Sequence, residues 1–331
     1  MRRLGQADAM LLVATVLWSA NFAMTKLAFE GGWNPLAFSA VRFAAAGLIV
    51  WLVMRLRGGG ILIARRDLPL ALAAAATGIT LNQLAFVHAV EHTTAANVAL
   101  ILASSPVFAA IFATMLGDER VSRVHWLALA TSVVGVALVV HGSGGTAGFS
   151  LVGDLLAVGA ALTWGAYSVM LPRLTERYSV GHVSAFMVVV GGAMLVPFAL
   201  PDLGSQDFGA LGAEPWAAWA YAAVFPLLVT NLLFFSSLRR IGASRATLYM
   251  YLQPFLGALF AAAILGERLT LEQLLGGAVI VGGVVLGRST ALVVRRRRRA
   301  AAAAAARPES GADRPHTRGG GAPAAAPRGR P

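Results

Sequence analysis

PVFAAIFATMLGDER, residues 106–120, and PFLGALFAAAILGER, residues 254–268, decide the fold. At an offset of 148 residues they set Pro106 against Pro254, Phe112 against Phe260 and Glu119-Arg120 against Glu267-Arg268. The register extends without a gap over 81–140 and 229–288, where Leu84 meets Leu232, Phe86 meets Phe234, Ala95 meets Ala243, Leu100 meets Leu248 and Gly135 meets Gly283. Near the start, a shift of 146 pairs Trp18-Ser19-Ala20 with Trp164-Gly165-Ala166. Two apolar sequences resemble each other easily. A paired proline followed thirteen residues later by Glu-Arg in both is not explained by apolar composition alone.

Around this repeat the chain is hydrophobic throughout. Of 331 residues, 57% are hydrophobic and 13% charged, against roughly 25% charged in a soluble domain. Ten apolar spans can be drawn, at 8–28, 35–54, 68–90, 95–116, 124–141, 153–172, 181–200, 216–238, 244–265 and 270–287. Runs of this length and composition predict transmembrane helices, and their Ala and Gly content suits close helix packing in lipid. The expected fold is an all-α polytopic membrane protein of ten transmembrane helices: a first five-helix repeat at 8–141, a second at 153–287 and a disordered basic tail at 288–331. Five is odd, so the second half enters the membrane inverted. Two similar halves around a shared site can exchange conformations, which is the geometry of alternating access.

The formal net charge of +12 suggests nucleic acid until it is located. Residues 288–331 hold eleven arginines against Glu309 and Asp313, so the basicity belongs to a tail and nucleic acid is excluded as a partner. Arg295–Arg299 follow the last span, either meeting anionic lipid headgroups or anchoring topology. With both termini cytoplasmic, 13 basic residues before the tail fall inside and Arg268 alone falls in an outer loop, as the positive-inside rule asks. Trp33, Trp216 and Trp219 then mark the outer boundary and Trp51 and Trp126 the inner one, as aromatic belts. The first span, preceded by Arg2 and Arg3, is read as retained and not as a cleaved signal, since its counterpart is internal. With no cysteine, disulfides and thiolate chemistry are excluded.

At this point the chain resembles the EamA-type transporters of the drug/metabolite transporter superfamily. The likeness rests on WSANFAMTK in the first span, on the proline-to-GDER and proline-to-GER stretches, and on their order and duplication over about 8–287. The resemblance implies a multi-pass carrier of the bacterial inner membrane, often an exporter of amino acids or related small metabolites. The halves differ: Asn21 and Lys26 are replaced by Tyr167 and Pro172, so they contribute unequally to any site.

Helical phasing of the first span puts Val16, Leu17, Ala20, Ala23, Met24 and Leu27 on one face and Thr15, Trp18, Ser19, Asn21, Thr25 and Lys26 on the other. The polar face should point into the protein or a wet cavity. Lys26, the chain's one lysine, is either an anchor snorkelling to water or a cavity cation. Arg42 stands seven residues into the second span, about 10 Å deep, and pairs by alignment with Met187. A charge there needs a partner, a cavity or carbonyl contacts. Asn82 and Gln83 match Thr230 and Asn231, giving amide and hydroxyl groups from both halves for a polar substrate or for helix–helix hydrogen bonds. Trp164 and Tyr167 either wall a pocket or pack. Pro106 and Pro254, read as mid-span, are hinge candidates. His88 is the one titratable group read as deep enough to carry a proton, and the Glu-Arg pairs as interfacial ion pairs or helix-end anchors.

No Walker loop appears, acidic residues fall in loops or near span ends so that no buried carboxylate relay is visible, and no paired histidines or carboxylates suggest a metal. No cofactor is called for, and no catalytic constellation argues for an enzyme. The sequence therefore predicts a secondary carrier of a small polar molecule, most simply an amino-acid exporter, with Arg42, Lys26, Asn21, Ser19, Trp18, Asn82, Gln83, Asn231, Trp164 and Tyr167 as candidate site residues. A carrier of drugs, nucleosides or sugar derivatives is the alternative within transport. An intramembrane enzyme or non-transporting assembly factor is the alternative outside it. The oligomeric state is left open.

Overall fold

The computed structural model describes residues 5–56, 60–116, 123–143, 150–230 and 252–283, with isolated positions at 233, 234, 236, 237, 249, 285 and 286. Asn231, Glu119-Arg120 and the tail at 288–331 lie outside the described residues. Met1–Arg288 forms a compact unit. Among the described residues all regular structure is helical.

In chain order the helices are α1 (Gln6–Glu30), α2 (Pro35–Leu56), α3 (Leu68–His92), α4 (Ala95–Met115) and α5 (Arg123–Ser143). They continue with α6 (Leu151–Thr175), α7 (Val180–Ser205), α8 (Ala213–Val224), α9 (Gln253–Leu265) and α10 (Leu271–Gly283). Among the described residues, α1, α2, α3, α4, α6 and α7 are long and apolar enough to cross a membrane. Local chemistry sets their ends. Thr94, Ser150 and Ser179 accept the backbone N–H of Asn97, Gly153 and His182, capping α4, α6 and α7. Gly266, at φ 68°, ends α9 in a left-handed conformation that a side chain would oppose.

Three helices widen by a π turn: α3 at Ala76–Leu81, α7 at Met187–Gly191, and α8 where it continues through Phe225–Val229. The turns of α3 and α8 end at Leu81 and Val229, positions the 148-residue offset matches. π turns free backbone groups and favour functional places. Here side chains from neighbouring helices answer them. Thr80 donates to the Gly191 carbonyl at 3.0 Å, joining α3 to α7. Trp18 on α1 donates to the Pro226 carbonyl at 3.2 Å, and Tyr221 donates back to Leu17 O at 2.8 Å.

Pro106 stands in mid-span, where α4 breaks into two segments. α4 is two segments, Ala95–Leu102 and Ser105–Met115, and Pro106 is the second residue of the latter. Pro254 is likewise the second residue of α9. Early in a helix the N–H that proline lacks has no partner in any case. The Leu102 carbonyl, which residue 106 would otherwise serve, accepts the Ser105 hydroxyl at 2.6 Å, and Ile101 O accepts that of Ser104 at 2.7 Å. Both prolines begin a helical segment instead of bending one.

Helix packing follows the repeat. α1 packs on α9 and α8, while α6 packs on α4 and α3; α2 meets α7, and α4 meets α9. The offset turns the first two contacts into the second two. The core joining them is rich in alanine, including Ala96, Ala99, Ala157, Ala160, Ala258 and Ala261 around Phe22, Phe86, Leu100 and Ile280. α5 and α10 approach back to back, since a Cβ on Gly135 or Gly276 would lie 2.7 Å from the other's carbonyl oxygen. Trp33 departs from the belt reading. It is 2% exposed, donates to Pro215 O at 3.2 Å and stacks among Phe38, Trp216 and Trp219. It is core, whereas Trp51 is exposed with the Arg55 guanidinium 5.7 Å from its ring centroid.

Candidate functional site

Arg42 is buried, 2% exposed, in the middle of α2. Its Nη2 donates to Gln83 Oε1 at 2.7 Å, and the Ser39 hydroxyl donates to the same oxygen at 3.1 Å. Phe38 and Phe43 place their rings 5.1 and 5.4 Å from the guanidinium carbon. A neutral amide and two π faces attract a cation, yet leave its charge uncancelled. Among the described residues, Arg42 Nε has no partner, and neither does Asn21 Oδ1 or Thr25 Oγ1 on α1. Counted from the helix ends, Arg42, Gln83 and Asn21 stand at similar depths of about 10–13 Å. The structure thus brings Arg42 and Gln83 together and leaves a buried donor and a buried acceptor unused at that level.

Other candidates are spent on packing. Asn82, adjacent to Gln83 but turned toward α6, donates to Ala160 O at 2.9 Å and Thr163 Oγ1 at 3.2 Å. Thr230 donates to Phe225 O at 2.7 Å. The Ser19 hydroxyl lies within reach of Thr15 O at 2.7 Å and Gln253 O at 3.2 Å, tying α1 to the start of α9. Trp18 closes the α8 π turn and meets Phe234 at 5.5 Å. Tyr167 lies flat on the α3 π turn, 2.3 Å from where a Gly78 Cβ would stand, so that turn admits only glycine beneath the ring. Trp164 meets Tyr167 at 5.4 Å and is half exposed.

Lys26 borders an open hollow of about 320 Å³ and is held there by backbone carbonyls. Its ammonium donates to Val90 O at 2.8 Å and to Glu91 O and Thr93 O at 3.1 Å each. It caps the C-terminus of α3 from a neighbouring helix, where a cation is favoured. Two residues later Glu267 does the reverse, accepting Ala95 N at 2.8 Å and Ala96 N at 3.0 Å at the start of α4. Burial pushes the Glu267 carboxyl up; the two N–H groups and Lys26 offset only part of this. Beside the corner, Asp154 on α6 is 1% exposed and accepts Thr93 Oγ1 at 2.8 Å and Asn97 Nδ2 at 3.1 Å. Gln273 on α10 completes the network, donating to Asn97 Oδ1 at 2.8 Å. A buried carboxylate is therefore present, near a span end as the sequence places it. Asp154 is only four residues into its helix but is covered sideways, by α3 and α4, which position along a span does not reveal.

At the opposite end, Asp67 binds Arg177 and accepts Tyr178 OH at 2.9 Å, joining the α2–α3 loop to the α6–α7 loop. Burial would raise its carboxyl, but Tyr178 and the Arg177 and Arg66 guanidinia hold it below the usual carboxylate range. His88 also moves from its expected place. It lies in the last turn of α3, half-buried, with Nδ1 2.9 Å from Glu91 Oε2, and His92 Nδ1 is 3.3 Å from the same oxygen. The histidines form an i, i+4 pair that the sequence reading passed over.

Known proteins give these helices a context. The profile of the EamA-like transporter family matches residues 6–141 and again 151–287. An uncharacterised transporter of Archaeoglobus fulgidus is 25% identical, over 82% of this chain and 93% of its own. An uncharacterised inner membrane transporter of Escherichia coli K12 is 24% identical, over 82% and 87%. A probable terminal-alkyne amino-acid exporter of Streptantibioticus cattleyicolor is 26% identical, over 84% and 91%. A crystal structure 20% identical superposes with a TM-score of 0.59, over 86% of this chain and 98% of that one, and shares the fold.

Proposed function

This chain belongs to the EamA-like transporter family, matched twice in tandem, and from that premise we propose that it is a secondary carrier exporting amino acids or related small polar metabolites across a bacterial inner membrane. Ten helices in two inverted five-helix repeats, 8–141 and 153–287, alternate access to a site between them. Both termini are cytoplasmic and the Lys26 end faces outward. The exchange of α1–α9 and α1–α8 contacts for α6–α4 and α6–α3 contacts supports the inverted repeat. So do the matched π turns. Pro106 and Pro254, each opening a helical segment beside hydroxyl-capped carbonyls or a Ser19 tie, serve as the hinges.

The observation that carries the substrate reading is Arg42, buried and, among the described residues, with an unpartnered Nε and only a neutral hydrogen-bond partner. A desolvated guanidinium calls for an anion, and the unused Asn21 oxygen at similar depth calls for a donor. A zwitterion, carboxylate on Arg42 and ammonium on Asn21, answers both. Gln83 and Ser39 orient the guanidinium. The amino-acid exporter among the relatives agrees with this substrate class. Binding to purified wild-type protein and to Arg42→Ala tests it. Removing the charge should weaken a transported amino acid at least about tenfold, equivalent to about 1.4 kcal/mol, while an analogue lacking the carboxylate should lose little. Equal affinity in both proteins would remove Arg42 from the site.

A further inference from the structure

We infer that the last turn of α3 is a binding site for a divalent transition metal of the zinc class, built from His88, Glu91 and His92. The three offer ligand atoms that all lie within 4.8 Å of one another. Glu91 Oε2 stands between the imidazoles, 2.9 Å from His88 Nδ1 and 3.3 Å from His92 Nδ1. Ligands at 2.0–2.1 Å around a tetrahedral ion are about 3.3 Å apart, so rotation of the exposed side chains, which frees His92 Nδ1 from the His88 carbonyl 3.0 Å away, converts these contacts into coordination. Two imidazoles and a carboxylate form a ligand set that zinc takes with its fourth position left to water. The spacing is what a helix requires, since i, i+3 and i+4 share one face.

The backbone beneath the ligands is held. Lys26 fixes the carbonyls of Val90, Glu91 and Thr93, and Thr93 is locked to Asp154. The ligand side chains themselves are 35–46% exposed, and Glu91 borders an open hollow of about 320 Å³ shared with Lys26, Glu30 and Asn34. An ion therefore has a path in. The acceptors of Lys26 and the metal ligands all lie within residues 88–93, so an ion stiffens the end of α3 on which the corner with α1, α4 and α6 is built. Resting on the carrier reading above, this predicts that the ion slows exchange by resisting movement of that corner.

The test uses full-length protein with any affinity tag removed. Titration of Zn2+ by calorimetry, and of Co2+ by its visible absorption, should give one saturable ion per chain at pH 7.5. His88→Gln with His92→Gln should weaken it at least tenfold, and Mg2+ and Ca2+, which prefer oxygen ligands, should not compete. Zn2+ should raise the melting temperature of wild type but not of the double variant. Absence of saturable binding, or equal binding by the double variant, would overturn the site. In proteoliposomes, Zn2+ should slow counterflow by wild type at least threefold and leave the double variant unchanged. Binding without that difference would overturn the stiffening role, and it is distinguishable from failure of the carrier reading because metal-free counterflow is measured alongside.

Discussion

Replacing Lys26 by methionine separates a structural lysine from a substrate-binding one. The side chain keeps its apolar stem and loses three hydrogen bonds, of 2.8, 3.1 and 3.1 Å, to the carbonyls that end α3. A hydrogen bond to a charged group contributes about 1.5–3 kcal/mol. The three share one ammonium and the Glu91 bond is exposed, so water recovers part of the loss and the sum is not reached. The expected destabilisation is about 2–4 kcal/mol. At about 2–4 °C per kcal/mol, the melting temperature of detergent-purified protein should fall by about 4–16 °C. Lys26→Arg should recover only part of this, because a planar guanidinium cannot aim three donors at three carbonyls around one point. Substrate affinity measured on the folded fraction should stay within about twofold. A variant as stable as wild type but at least tenfold weaker for substrate would refute the reasoning and return Lys26 to the site.

Two further outcomes follow from close contacts. Gly78→Ala should destabilise by about 1–3 kcal/mol, because its Cβ would meet Tyr167 at 2.3 Å; pairing it with Tyr167→Ala should recover part of the melting temperature, and full additivity of the two losses would contradict the contact. Asp67 is held below its ordinary range, so its contribution is present above the unfolded value of about 3.9 and disappears as pH falls through the lower folded value. Asp67→Asn should therefore lower stability at pH 7 and flatten the acid side of the stability profile. An unchanged profile would show that the Arg177 contact carries no weight.

Hydropathy and the paired proline stretches made the helices visible, because apolar length and period are local properties. What the sequence could not show is which helix end meets which. Lys26 lies 64 residues from its first acceptor, and nothing in WSANFAMTK points to Val90. Asp154 looked like an ordinary residue near a span end, since depth along a helix says nothing of lateral cover. The π turns depend on packing by Trp18, Tyr167 and Gly191, again from distant segments. Arg42 was legible by its depth alone, but Gln83 as its partner was not. The His88–His92 pair was legible, being four residues apart on one helix, but its shared contact with Glu91 depends on rotamers that spacing does not fix. Pro106 was legible as a mid-span proline, but the break at Ala103–Ser104 before it was not.

Counterflow tests the central claim most directly. Proteoliposomes holding tag-free, folded protein are loaded with one unlabelled amino acid and diluted into a trace of the labelled compound, across a panel of amino acids and related metabolites. An alternating-access carrier predicts transient accumulation of label above equilibrium for at least one amino acid, absent from empty liposomes and lost with Arg42→Ala. Verified, reconstituted protein that gives no counterflow with any compound of the panel would contradict the account.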